Sequence, residues 1–119
     1  MERIEKEFVF AATGTTGTPE YWNIDENGEI VDIIVEMPNF SNAVTGTLSI
    51  VDTGSYTLYA KDLIPENGTS HFVDLLAKKL EPIPVVQTTN LYFTISGAAG
   101  GTGGTVTVTL YIKQDGSRK

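Results

Sequence analysis

The sequence predicts an all-β fold, an antiparallel β-sandwich or jelly roll of about seven or eight strands. Three observations predict it. Apolar and polar residues alternate with period two in segment after segment, residues that favour turns separate those segments, and the implied strands recur at roughly 8–15-residue spacing.

Taken in order, the chain opens with a short N-terminal arm at about residues 1–6, whose charges alternate, followed by a strand from Glu7 to Ala12. Thr13-Gly14-Thr15-Thr16-Gly17-Thr18 reads as a loop, because glycine frees the backbone and threonine adds hydroxyls without charge. Asp25-Glu26-Asn27-Gly28 is turn chemistry and precedes a strand from Ile30 to Glu36. One face of that strand is apolar through Val31, Ile33 and Val35. The other mixes Ile30 and Ile34 with Asp32 and Glu36, as expected of a strand between a core and a partly exposed surface.

Strands from Thr45 to Val51 and from Tyr56 to Ala60 are joined through Asp52-Thr53-Gly54-Ser55 as a tight hairpin, and Pro65-Glu66-Asn67-Gly68 makes the next turn. Residues 71–80 admit two readings. Phe72, Leu75, Leu76 and Leu80 suit one face of a short helix that Thr69 or Ser70 would cap, and the same stretch reads equally as a strand broken by Pro82 and Pro84.

The strongest strand signal is at the end. Val106, Val108, Leu110 and Ile112 share one face, with Thr105, Thr107, Thr109 and Tyr111 on the other. Leu91, Phe93 and Ile95 form the apolar face of the preceding strand. The Gly/Thr-rich stretch at 96–105 is expected to return the chain as a long hairpin loop.

Length and composition agree with one domain over residues 1–119: a chain this long buries roughly two thirds of its unfolded surface around a single core. Cysteine is absent, which excludes disulfides, thiolate metal sites and cysteine nucleophiles. No apolar run approaches the ~20 residues of a spanning helix. The first residues have neither the basic start nor the apolar stretch of a signal peptide. The net charge of −7 is concentrated, with no Lys or Arg between Glu7 and Ala60 against eight carboxylates. Such a surface repels phosphate backbones, so neither a nucleic acid nor a membrane is an expected partner; it aids solubility or meets a basic partner.

No residue set has the pattern of a catalytic site, and no enzyme activity, metal or cofactor is expected. His71 is the single histidine, beside Ser70 and with Asp74 three residues on, an arrangement more typical of a surface or capping residue. The glycine run 97–104 lacks the lysine and following helix of a phosphate loop. Asp25-x-Asn27-Gly28-Glu29 offers oxygen ligands at a spacing that fits a plain turn better than a calcium loop. Asn67-Gly68-Thr69 matches a glycosylation sequon, for which the sequence shows no secretory route.

The candidate partner contacts are Tyr21, Trp22 and Phe40, with Thr15, Thr16 and Thr102 from the two Thr/Gly loops, which would order against a partner surface. Tyr21-Trp22, with Phe40, Tyr56 and Tyr59, would alternatively line a platform on which sugar rings stack, making the chain a carbohydrate-binding module with a glycan partner. Against that stands the frequency with which a Trp in so small a sandwich belongs to the core or to a subunit interface.

Four stretches carry a resemblance: Asn39 to Ile50, Gly54-Ser55-Tyr56-Thr57-Leu58-Tyr59, Pro65-Glu66-Asn67-Gly68, and Ser96-Gly97 to Lys113. In style and order, over residues 29–113, they resemble small virion proteins of tailed bacteriophages. The resemblance implies a structural protein of the capsid surface, made in the host cytoplasm. It would act as a decoration (cement) protein or a minor head or tail component, with a homo-oligomer, a trimer above all, and the major capsid protein as partners. It carries over no contact residue. Independently, a cysteine-free sandwich with strand edges to cover gains from oligomerisation.

Overall fold

The fold is organised around the strand with the strongest sequence signal. In the computed structural model, which describes residues 2–71 and 83–114, β9 (Gly104–Gln114) lies between two full-length antiparallel partners, β1 (Glu2–Phe10) and β3 (Gly28–Met37). Two short strands, β6 (Gly68–His71) and β7 (Ile83–Val85), follow one another along the outer edge of β3. The second sheet contains β2 (Thr16–Asn23), β4 (Thr45–Val51), β5 (Thr57–Pro65) and β8 (Asn90–Ile95), ordered β2-β8-β4-β5.

With the collinear β6 and β7 taken as one position, two four-stranded sheets of order 1-9-3-6 and 2-8-4-5 face each other. The chain crosses between them after β1, β2, β3, β5, β7 and β8, which is the double Greek key winding of a jelly roll. A single bridge, Val9 to Thr18, links the sheets along the β1/β2 side.

Alternation dictates the core. Phe8 and Phe10, Ile33, Val35 and Met37, and Val106, Val108, Leu110 and Ile112 point inward from one sheet, against Leu48, Ile50, Leu91, Phe93 and Ile95 from the other, all buried. Each such side chain contributes about 1.5–3 kcal/mol relative to leaving it in water. The aromatic residues gather at one end, where Phe10 meets Phe40 at 6.0 Å and Phe93 at 6.3 Å between ring centroids, both edge-on.

Several expectations are corrected. Residues 2–6 are not a free arm: they are the first half of β1 and pair with Val108 to Ile112, because β9 is long enough to need a partner that far. Residues 96–105 do not close a hairpin. β8 and β9 lie in opposite sheets, since their apolar faces pack against a shared core rather than side by side, and the connection spans the sandwich. Thr16, Gly17 and Thr18 belong to β2, not to a loop. In β3, an irregularity between Ile30 and Asp32 shifts the alternation, so Ile30 is buried and Val31 is half-buried. The helix-or-strand alternative at 71–80 lies outside the described residues except for His71, which ends β6.

Candidate functional site

Among the described residues, two regions present chemistry to solvent. The first is the end of the sandwich where β1, β3 and β8 finish. The connections 11–15, 38–44 and 96–103 meet there, and none contains an ionisable side chain. They are tied to one another. Gly100 N donates to Ala12 O (2.7 Å), Asn42 N to Ala99 O (3.0 Å), and the Asn42 amide nitrogen to Ala98 O (3.0 Å). Ile95 N donates to Thr15 O and Ser96 N to Thr45 O. Gly100 and Gly101 adopt positive φ of 80° and 54° where the chain folds tightly over Ser41 and Asn42, a conformation and a spacing that favour glycine.

At this end Thr15 and Thr102 are both exposed, and Thr16 is exposed at the start of β2. Phe40 is not part of that surface. It is 3% exposed, closing the end of the core against Phe10. The β5–β6 turn adds Glu66 to the same end, held there by Asn67 N donating to Pro38 O at 3.1 Å.

The second region lies beside β2, where β1 and β2 diverge beyond their single bridge. An open depression of about 790 Å³ forms in the gap, walled by Lys6, Thr18 and Pro19 and by Glu20 to Asn23, with Asp25 at its lower edge. Tyr21 and Trp22, adjacent in sequence, point to opposite sides of β2. Trp22 pairs in register with buried Leu91, packs half-buried against the core, and donates its indole N–H to Glu7 O at 2.9 Å. Lys6 Nζ sits 4.7 Å from the centre of the Trp22 ring system, a cation–π contact. Tyr21 faces outward, 45% exposed, and its ring meets that of Tyr92 at 5.3 Å with a 37° tilt.

The five aromatic residues expected as a sugar platform are therefore dispersed. Tyr56 is exposed in the β4–β5 turn at the far end, Tyr59 and Trp22 pack on the core, and Phe40 is buried. Tyr92, which the sequence analysis did not single out, is the residue that joins Tyr21. Its signal was the alternation of Leu91-Tyr92-Phe93-Thr94-Ile95, which puts Tyr92 outward whenever Leu91 and Phe93 are core.

The two outer faces differ in charge. Across the 2-8-4-5 sheet, register places Thr16, Thr94 and Thr47 in one row and Tyr21, Tyr92, Ser49 and Ala60 in the next. A third row holds Asn23, Asn90, Val51 and Thr57. The 1-9-3-6 sheet presents Glu5, Glu7 and Glu36 among the threonines of β9, with Arg3 held by Glu5 at 3.2 Å and by the Tyr111 hydroxyl at 3.3 Å. Among the described residues no group of three His, Cys, Asp or Glu side chains is placed to hold a metal ion.

No family model and no curated protein matches the chain. Solved structures do. The chain is similar to the infectious bursal disease virus VP2 subviral particle, with 15% identity, a TM-score of 0.36, and coverage of 93% of this chain and 32% of that one. It is also similar to the structure of the Gt strain of the same virus (12% identity, TM-score 0.31, 92% and 29% covered). The Gx strain structure gives 11% identity and a TM-score of 0.36, with 94% and 30% covered. The chain spans about a third of the length of these neighbours. A likeness of that size carries no function across.

Proposed function

We propose that this chain is a non-enzymatic virion structural protein, a capsid decoration protein that stabilises a shell by binding across its subunits as a symmetric oligomer, a trimer above all. The observation that carries the reading is the winding of the chain, two Greek keys in sheets 1-9-3-6 and 2-8-4-5, an architecture used by viral capsid domains. The phage-like phrases of residues 29–113 point the same way.

The tied, uncharged end formed by residues 11–15, 38–44 and 96–103 is the surface this reading assigns to the shell. Its loops are already ordered by mutual hydrogen bonds, so docking costs little chain entropy, and the three loops themselves carry no charge to be stripped of water. Thr15, Thr16 and Thr102 supply hydroxyls there.

Mass spectrometry of gradient-purified virions tests the reading. The chain is expected at a stoichiometry commensurate with capsid symmetry, and its absence from particles overturns the proposal. Light scattering across a concentration series tests the oligomer, with a stable monomer at micromolar concentration counting against the trimer.

A further inference from the structure

We propose that the depression beside β2 binds a neutral oligosaccharide, with Tyr21 as the stacking platform and Glu20, Asn23 and Asp25 as acceptors for its hydroxyl groups. This site is separate from the uncharged end and does not depend on a virion role.

The first support is the aromatic pair. Tyr21 is among the residues that line the depression, and its ring, turned to the outer face of the sheet, is braced on one side by Tyr92. Sugar rings carry apolar C–H faces that lie flat on such a surface, and a ring held by its neighbour loses little freedom on binding. The second support is the set of groups around it. Glu20, Asn23 and Asp25 are exposed and make no side-chain hydrogen bond or ion pair among the described residues. Carboxylate and amide oxygens accept from hydroxyls, and Lys6 on the opposite wall donates to ring and hydroxyl oxygens.

Their backbone is fixed. Ile24 N donates to Thr89 O at 2.8 Å and Asp25 N to Gln87 O at 3.2 Å, while the Asn27 side chain accepts from Gln87 N. Asp25 itself is held at φ 60°, a left-handed conformation that aspartate tolerates at some cost.

Charge selects among ligands. Two carboxylates repel phosphate, sulfate and sialic acid groups, and the ammonium of Lys6 in the same space disfavours a cationic peptide. A polyhydroxylated neutral chain uses the donor and both acceptor types at once. The open shape leaves room for a ligand that continues beyond it.

Trp22 lines the same depression and reports on it. The experiment titrates the protein with glucan, mannan and galactan oligosaccharides, with sialyllactose and a lysine-rich peptide as charged comparators, and follows Trp22 emission. At least one neutral oligosaccharide is expected to give a saturable shift. Tyr21→Ala is expected to weaken it about tenfold, equivalent to the ~1.4 kcal/mol of one decade. Tyr21→Phe, which keeps the ring and its contact with Tyr92, is expected to bind within about twofold of the parent. No response to any neutral oligosaccharide at millimolar concentration overturns the proposal. So does unchanged binding by Tyr21→Ala, or tighter binding of either charged comparator.

Discussion

The indole N–H of Trp22 donates to the main-chain carbonyl of Glu7 at 2.9 Å, and so joins the two sheets where their backbones have stopped pairing. Below the Val9–Thr18 bridge, β1 has no ladder partner on its β2 side, and the Trp22 side chain takes over that role for one carbonyl. Trp22→Phe keeps an aromatic body against the core but removes the donor. The expected cost is about 0.5–1.5 kcal/mol, at the low end because water reaches the half-exposed site, measured by urea denaturation.

Gly17 sits directly over the phenylalanine cluster. A Cβ there would lie 2.8 Å from Phe8 Cβ and 3.2 Å from Phe10 Cζ, and the Phe8 atom is fixed by its own backbone. Gly17→Ala is expected to destabilise the fold by about 1–3 kcal/mol through overpacking, read from the denaturation midpoint at constant m-value.

Leu63 has φ 57° and is 73% exposed, next to the register irregularity between Gly46 and Leu48 in the β4–β5 pairing. A leucine in the left-handed region costs about 1–2 kcal/mol, and exposure returns little of it. Leu63→Gly, which adopts that conformation freely, is expected to raise stability by up to about 1 kcal/mol after its greater unfolded-state entropy is counted, seen as a higher thermal midpoint.

Burial pushes the Tyr59 hydroxyl above its ordinary value of 10.0. The unfolded chain therefore loses this proton first as pH rises. The contribution of neutral Tyr59 is fully present below pH 10 and is lost as pH climbs through the raised folded value. Stability is expected to fall on the alkaline side, and Tyr59→Phe to flatten that limb in denaturation curves measured from pH 8 upward.

The strands that the sequence announces are those whose period is unbroken. β9 and β8 show clean alternation, and the structure buries the predicted faces. β2 was hidden for a physical reason. Gly17 and Pro19 are loop residues by composition, and an irregularity between Thr16 and Tyr21 puts Gly17 and Trp22, an odd number of positions apart, both on the inner side. No period-two template detects such a strand. The partner of a strand was equally illegible. Leu91 to Ile95 and Val106 to Ile112 present matching apolar faces whether they lie side by side or across a core, and the long connection allows both.

The candidate sites follow the same rule. Thr15, Thr16 and Thr102 are exposed, and what the composition made visible there was the absence of charge. Phe40 was misplaced because a lone aromatic in a polar loop looks exposed until the loop is seen to fold over the end of the sandwich. Glu20 and Asn23 were passed over and Asp25 was read only as part of a turn, since only the divergence of β1 from β2 gathers the three at one opening.

The central position of β9 makes β1 and β3 wait for a strand that comes much later in the chain. From Glu2 to Phe10, β1 pairs with residues that emerge from the ribosome roughly a hundred positions later, and the inner edge of β3 waits for the same strand. Until then both edges are open templates for pairing with another chain. Loop closure over that distance makes assembly slow compared with local hairpins, and a neighbour's β9 fits the vacant slot as well as the chain's own. Crowded synthesis is thus the condition under which this fold is most exposed to strand exchange between copies.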